Sequence, residues 1–191
     1  MPRPSRRDHL INTAIDLFCE HGFHATGIDK IIEVAGVSKK TMYQHFRSKE
    51  ELIMAALQQY DSIFRNNFVR EVEKAADTPA ARLLAIFDVA HEWFATTNFF
   101  GCMFINAVGE YSERESPIRD ISKQFKQLMG RYVEQLATEA HANNPSELAQ
   151  ELGLLLEGAI VTAQVNQNPD AAKTAKNVAS ILVANSLVCK E

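Results

Sequence analysis

The sequence predicts an all-α protein of about nine helices, and three observations carry that prediction. Apolar residues recur every three to four positions along nearly the whole chain. No run shows the Val/Ile/Thr alternation of a half-buried strand. Gly22, Gly36, Pro79, Pro117, Pro145 and Pro169 punctuate the periodic segments at their ends. With 191 residues, 46% of them hydrophobic, the chain makes one large domain or two small ones. It can bury a core without disulfides or a structural metal.

Taken in order, the first helix is expected from about Arg6 to His21, where Leu10, Ala14, Leu17 and Phe18 share a face and Gly22 offers a C-terminal cap. A short second helix carries Ile28, Ile31, Ile32 and Ala35 and stops at Gly36, with Thr26 and Asp29 matching a capping box. Ser38 can cap a third, Lys39 to His45. Ser48 with Glu51 opens a long fourth helix to about Val72. Thr78-Pro79 pairs a cap with a first-turn proline before a fifth helix to about Thr96. Four more are expected over 101–111, 117–140, 145–165 and 169–188.

Charge is unevenly distributed. Residues 1–49 hold eight Lys/Arg against five Asp/Glu, and residues 50–191 hold twelve against nineteen. A basic head on an acidic body suits a protein whose head alone meets a polyanion. The longest apolar run, Leu52 to Leu57, is far short of a membrane span, and no signal-peptide pattern follows the basic N-terminus. Cys19, Cys102 and Cys189 form an odd, widely spaced set that supports neither a disulfide framework nor a zinc site. The expectation is a cytoplasmic protein with no cofactor, no metal and no membrane partner. No GxSxG, HExxH or glycine-rich phosphate loop argues for an enzyme, and Glu110, Glu113 and Glu115 read as a solvated acidic patch.

The strongest local signal is the pair of short helices joined by Ala35-Gly36-Val37-Ser38. A helix-turn-helix needs a tight turn and a capped second helix whose outer face can enter the major groove. Here that helix reads Lys39-Lys40-Thr41-Met42-Tyr43-Gln44-His45, with Met42 and Phe46 facing inward. The remaining side chains are donor-rich, and none is acidic.

These residues, with Leu17-Phe18, Gly22-Phe23, Ala25-Thr26, Ile28, Ile31, His45-Phe46 and Ser48-Lys49-Glu50-Glu51-Leu52, resemble the N-terminal domain of TetR-family transcriptional regulators. The resemblance covers about the first 55 residues; the remainder is similar in length and helical layout only. It implies a three-helix DNA-binding head at 1–49 and a larger helical body at 50–191 for effector binding and dimerisation. It also implies a homodimeric repressor on a palindromic operator in double-stranded DNA, released by a small, largely apolar effector. Ser38, Lys39, Thr41, Tyr43 and His45 fall where the family reads DNA, and Thr26 and Lys49 where it contacts phosphate. Lys40, where a small residue is common, and Gln44 add donors. Gly27 stands where Ser or Thr is usual, and Arg47 where Pro is frequent.

In the body, Trp93, Phe94, Phe99, Cys102 and Met103 make the densest aromatic and sulfur cluster, which Tyr111, Phe125 and Met129 could join. Such side chains line apolar pockets well, and they fill ordinary cores equally well. Cys102 also follows Gly101 at an expected helix start, where the helix dipole favours thiolate. Leu148, Leu152, Leu155, Leu156 and Ala159 form one apolar stripe. Ala171, Ala175, Val178, Leu182 and Asn185 form another. Leu152, Leu155, Ala159, Val178, Leu182 and Asn185 are the expected dimer contacts, because two recognition helices spaced to read successive major grooves require two protomers. An architectural DNA-binding protein without small-molecule control remains a competing reading, as does an enzyme; effector-driven release of specific DNA separates the first, and turnover of a substrate the second.

Overall fold

The structure is a computed structural model describing residues 5–187. Residues 1–4 and 188–191, with Cys189 and the expected helix end at Val188, lie outside the described residues. Nine helices and no strand occur among the described residues: α1 (Arg6–His21), α2 (Ile28–Ala35), α3 (Lys39–His45), α4 (Lys49–Ala75), α5 (Pro79–Phe94), α6 (Met103–Glu110), α7 (Pro117–Glu139), α8 (Pro145–Asn166) and α9 (Ala171–Ser186). They form two compact units. One gathers residues up to Phe64 with Cys102–Phe125; the other gathers Arg65–Gly101 with residues from Lys126 onward.

In the first unit, α1, α2 and α3 pack on one another around Leu10, Phe18, Phe23, Ile31, Met42 and Phe46, all buried. Local chemistry sets the ends of these helices. Ser5 Oγ accepts from Asp8 N at 3.1 Å, and Ser38 Oγ accepts from Thr41 N at 3.1 Å. Gly36 closes α2 in the left-handed region (φ 62°), and Val37 N donates back to Ile32 O at 3.1 Å. The expected capping box at Thr26 is not formed: α2 is capped by Gly27 without a side-chain bond. The Thr26 hydroxyl instead donates inward, to Gly22 O at 2.6 Å and Leu17 O at 3.2 Å. The box at α4 forms in a shifted version. Ser48 Oγ accepts from Glu51 N at 3.2 Å, while the Glu51 carboxylate reaches Arg47 N at 2.6 Å, one residue earlier than Ser48.

In the second unit, α5, α8 and α9 pack mutually around Leu83, Phe87, Leu152, Ile160, Ala172 and Ala179. Thr78 caps α5 with Pro79 in its first turn, as the sequence suggested. Lys176 Nζ lies 2.6 Å from the Asp88 carboxylate, and His91 Nε2 lies 3.1 Å from Asp170 Oδ1, both joining α5 to the α9 segment. Helix α9 starts at Ala171 and not at Pro169, because Asn168 Oδ1 takes the Asp170 N–H at 3.0 Å and holds a turn there. Gly101 likewise stays outside α6. Its φ is +84°, and the Gln164 side chain, which donates to Phe100 O at 3.0 Å, occupies the space a Cβ would need. Helix α8, at 22 residues, has the length and apolar composition of a membrane-crossing segment. Its apolar residues divide between the core and an exposed face.

Candidate nucleic-acid interface

Helix α3 is fixed by what it buries. Met42 and Phe46 have almost no exposed surface, and the Arg7 guanidinium lies 5.2 Å from the centre of the Phe46 ring. His9 Nε2 reaches the Ala35 carbonyl at 3.1 Å and so ties α1 to the end of α2. With these anchors set, the helical period turns Lys39, Lys40, Tyr43, Gln44 and His45 outward, and all five are exposed. Thr41 is half-buried, its hydroxyl 2.9 Å from Ser38 Oγ, so these two hydroxyls belong partly to the cap. Tyr43 leaves 47% of its surface free, an unusual exposure for so large an apolar ring. Asp29 is the acid facing this helix, pairing with Lys39 Nζ at 3.2 Å; both are well exposed, so the pair yields readily to a stronger anion.

Lys49 opens α4, and its ammonium donates to the His24 carbonyl at 3.3 Å. Burial lowers its pKa, while the Glu110 and Glu50 carboxylates push it back up. Thr26 is placed differently from the sequence expectation. It is only 2% exposed and its hydroxyl is engaged inward, so its side chain braces the loop and offers nothing to a phosphate.

The eight residues expected as one effector cluster fall into separate groupings. Trp93, Phe94 and Phe99 do gather, with ring centres 4.8–5.4 Å apart. Met129 belongs to the same unit and is half-buried. In the other unit, Phe125 stacks on Phe104 at 3.9 Å, Tyr60 approaches Phe104 at 5.9 Å, and Phe64 approaches Phe125 at 6.2 Å. Cys102 and Met103 are buried in that unit too. Tyr111 lies apart from both groupings and stacks on His24 at 4.7 Å, in the turn after α1. Tyr60 and Phe64 also belong to the grouping of Phe104 and Phe125, and their i, i+4 spacing on α4 is the sequence signal for it. Cys102 is the N-cap of α6 and not a residue of its first turn, and it is only 4% exposed, which shields its sulfur from reagents. Burial, with Asp16 and Cys102 nearby, pushes the Cys19 thiol up to about 12 and keeps it protonated at neutral pH. Among the described residues, no three His, Cys, Asp or Glu side chains converge as metal ligands would.

The residues of the expected dimer stripe differ in exposure within the chain. Leu152 and Ala159 fill the chain's own core, and Leu155 and Leu182 are half-buried. Val178 and Asn185 do face outward. The large apolar residues exposed on these two helices are Leu154, Val161 and Val165 on α8 with Val178 and Ile181 on α9. The three α8 residues, at i, i+7 and i+11, form a second face beside the buried one.

Residues 10–56 match the family described as bacterial regulatory proteins, tetR family, and residues 79–179 match the tetracyclin repressor-like, C-terminal domain. The chain belongs to the TetR family. This TetR-family protein is therefore a DNA-binding transcriptional regulator and not an enzyme. Over 78 residues it is 44% identical to the HTH-type transcriptional activator FasR of Mycolicibacterium smegmatis, a match spanning 41% of this chain and 34% of that protein. The HTH-type transcriptional repressor ComR of Escherichia coli is 24% identical over 173 residues, 85% of this chain and 81% of that one. In fold, the TetR-family regulator SCO4454 of Streptomyces coelicolor superposes with a TM-score of 0.87 at 24% identity, covering 95% of this chain and 96% of its own.

Proposed function

We propose that this TetR-family regulator is a homodimeric repressor. Residues 1–49 bind a palindromic operator, and residues 50–191 bind a small, largely apolar effector and the second protomer. The observation that carries the reading is the outer face of α3, where Lys39, Lys40, Tyr43, Gln44 and His45 project from a helix pinned by Met42 and Phe46. A rigid, donor-rich face with no acid of its own suits major-groove edges and flanking phosphates. Lys49 adds a phosphate contact beside it. The exposed apolar residues of α8 and α9 support a second copy as partner, since association would remove them from water. The relatives named above act with opposite signs. Repression is the simpler outcome, because a dimer seated on a promoter blocks polymerase by occupancy alone. The aromatic groupings support an apolar effector, which weakens DNA binding by its differential affinity for two states. A protein that works on bacterial DNA works in the cytoplasm.

Tyr43→Ala and Lys49→Ala are expected to weaken operator binding about tenfold each, with dimer and melting temperature unchanged. Only Lys49→Ala should lower the salt slope, by about one. Fluorescence anisotropy on selected DNA, followed by a small-molecule screen for its release, checks both halves. Unchanged affinity in both variants would remove the DNA assignment, and a screen without any releasing compound would count against effector control.

A further inference from the structure

We infer that Glu110 is a positioning residue through which α6 sets the direction of Lys49 toward DNA, a role that rests on reading Lys49 as a phosphate contact. The Glu110 carboxylate, at the end of α6, accepts two backbone hydrogen bonds from the turn after α1. One comes from Phe23 N at 2.8 Å and the other from His24 N at 2.5 Å. Its Oε2 also lies 3.2 Å from His24 Nδ1. The next residue, Tyr111, lays its ring on the His24 imidazole, with centres 4.7 Å apart and planes within 25°. Lys49 Nζ in turn donates to the His24 carbonyl at 3.3 Å. One residue of the head is thus held at its N–H and ring by α6 and at its C=O by the lysine that opens α4.

Two features mark the contact as built. A carboxylate at the C-terminal end of a helix opposes the helix dipole, so its position is sustained by the N–H groups it meets. Gly22, with φ +83°, makes the turn, and a Cβ there would stand 2.9 Å from Glu110 Oε1. Glycine both shapes the turn and leaves the carboxylate its place.

The functional consequence follows from donor geometry. An ammonium has three protons, and the bond to His24 O fixes the direction of the other two. If α6 withdraws Glu110, Phe23 N and His24 N lose their acceptor, the His24 carbonyl is freed, and Lys49 loses its aim. Phosphate contacts set the register of a protein on the duplex, so this loss weakens DNA binding while α3 stays intact.

The test is a double-mutant cycle in the full chain on operator DNA selected from a random pool, with affinity read across a salt series. Lys49→Ala and Glu110→Ala should each weaken binding about tenfold and lower the salt slope by about one. The double variant should match either single, because both remove the same contact. Glu110→Gln, isosteric and keeping one acceptor, should fall between wild type and Glu110→Ala, and it carries the test if the alanine variant does not fold. Wild-type affinity and slope in both Glu110 variants would overturn the proposal, as would losses that multiply to about a hundredfold in the double variant. An unaffected Lys49→Ala would overturn the phosphate role itself, a failure distinct from the other two.

Discussion

Ile181→Glu is expected to turn the proposed dimer into a folded monomer and to weaken operator binding by at least about a hundredfold. Ile181 is 61% exposed within its own chain, so the substitution leaves the protomer core untouched. Beside it in the outward apolar set are Val178 on α9 and Leu154, Val161 and Val165 on α8, with Val165 75% exposed. Burying an unpaired carboxylate in such a seam costs several kcal/mol, enough to dissolve an interface of ordinary affinity. The loss on DNA is larger than the local change, because two linked heads bind two half-sites with an avidity of about 10²–10⁴ over one. Sedimentation and circular dichroism check it together. A well-folded Ile181→Glu dimer would move the interface off this face.

Phe104→Ala should cost about 3–5 kcal/mol of unfolding free energy, read as a shift of the urea midpoint. Phe104 is 1% exposed, stacks face to face on Phe125, and touches Tyr60 from α4. Three rings around one site leave a cavity that neighbours anchored on separate helices cannot close, and ring pairs add to the area term. For a protein of this size such a loss is a large share of total stability. A cost below about 1 kcal/mol would mean that the remaining rings repack freely, as the walls of an adaptable pocket do.

The head was largely legible in the sequence because its signals are local. Gly36 and Ser38 cap the helices they are expected to cap, as Thr78-Pro79 does for α5 in the body, and α1, α2 and α3 keep their expected bounds. Where a local rule failed, a longer contact had taken the residue. The Thr26 hydroxyl left its capping role for Leu17 O and Gly22 O. Glu110 read as part of an acidic patch, since its partners Phe23 and His24 lie 87 and 86 residues away and no periodicity records such a distance. Helix α8 shows another limit. Apolar residues surround much of it, so the 3.6-residue period identifies a helix without saying which face meets the chain's own core and which is left outside.

Two copies of α3 are proposed to read DNA together. The most direct test is selection of bound sequences from a random double-stranded pool by the wild-type protein, followed by counting protomers per duplex. The expected result is an inverted repeat whose half-sites are centred about one helical turn, roughly 34–36 Å, or a multiple of it apart, bound by two protomers. A pool that stays random after repeated rounds, or a motif without two-fold symmetry bound by one protomer, would contradict it.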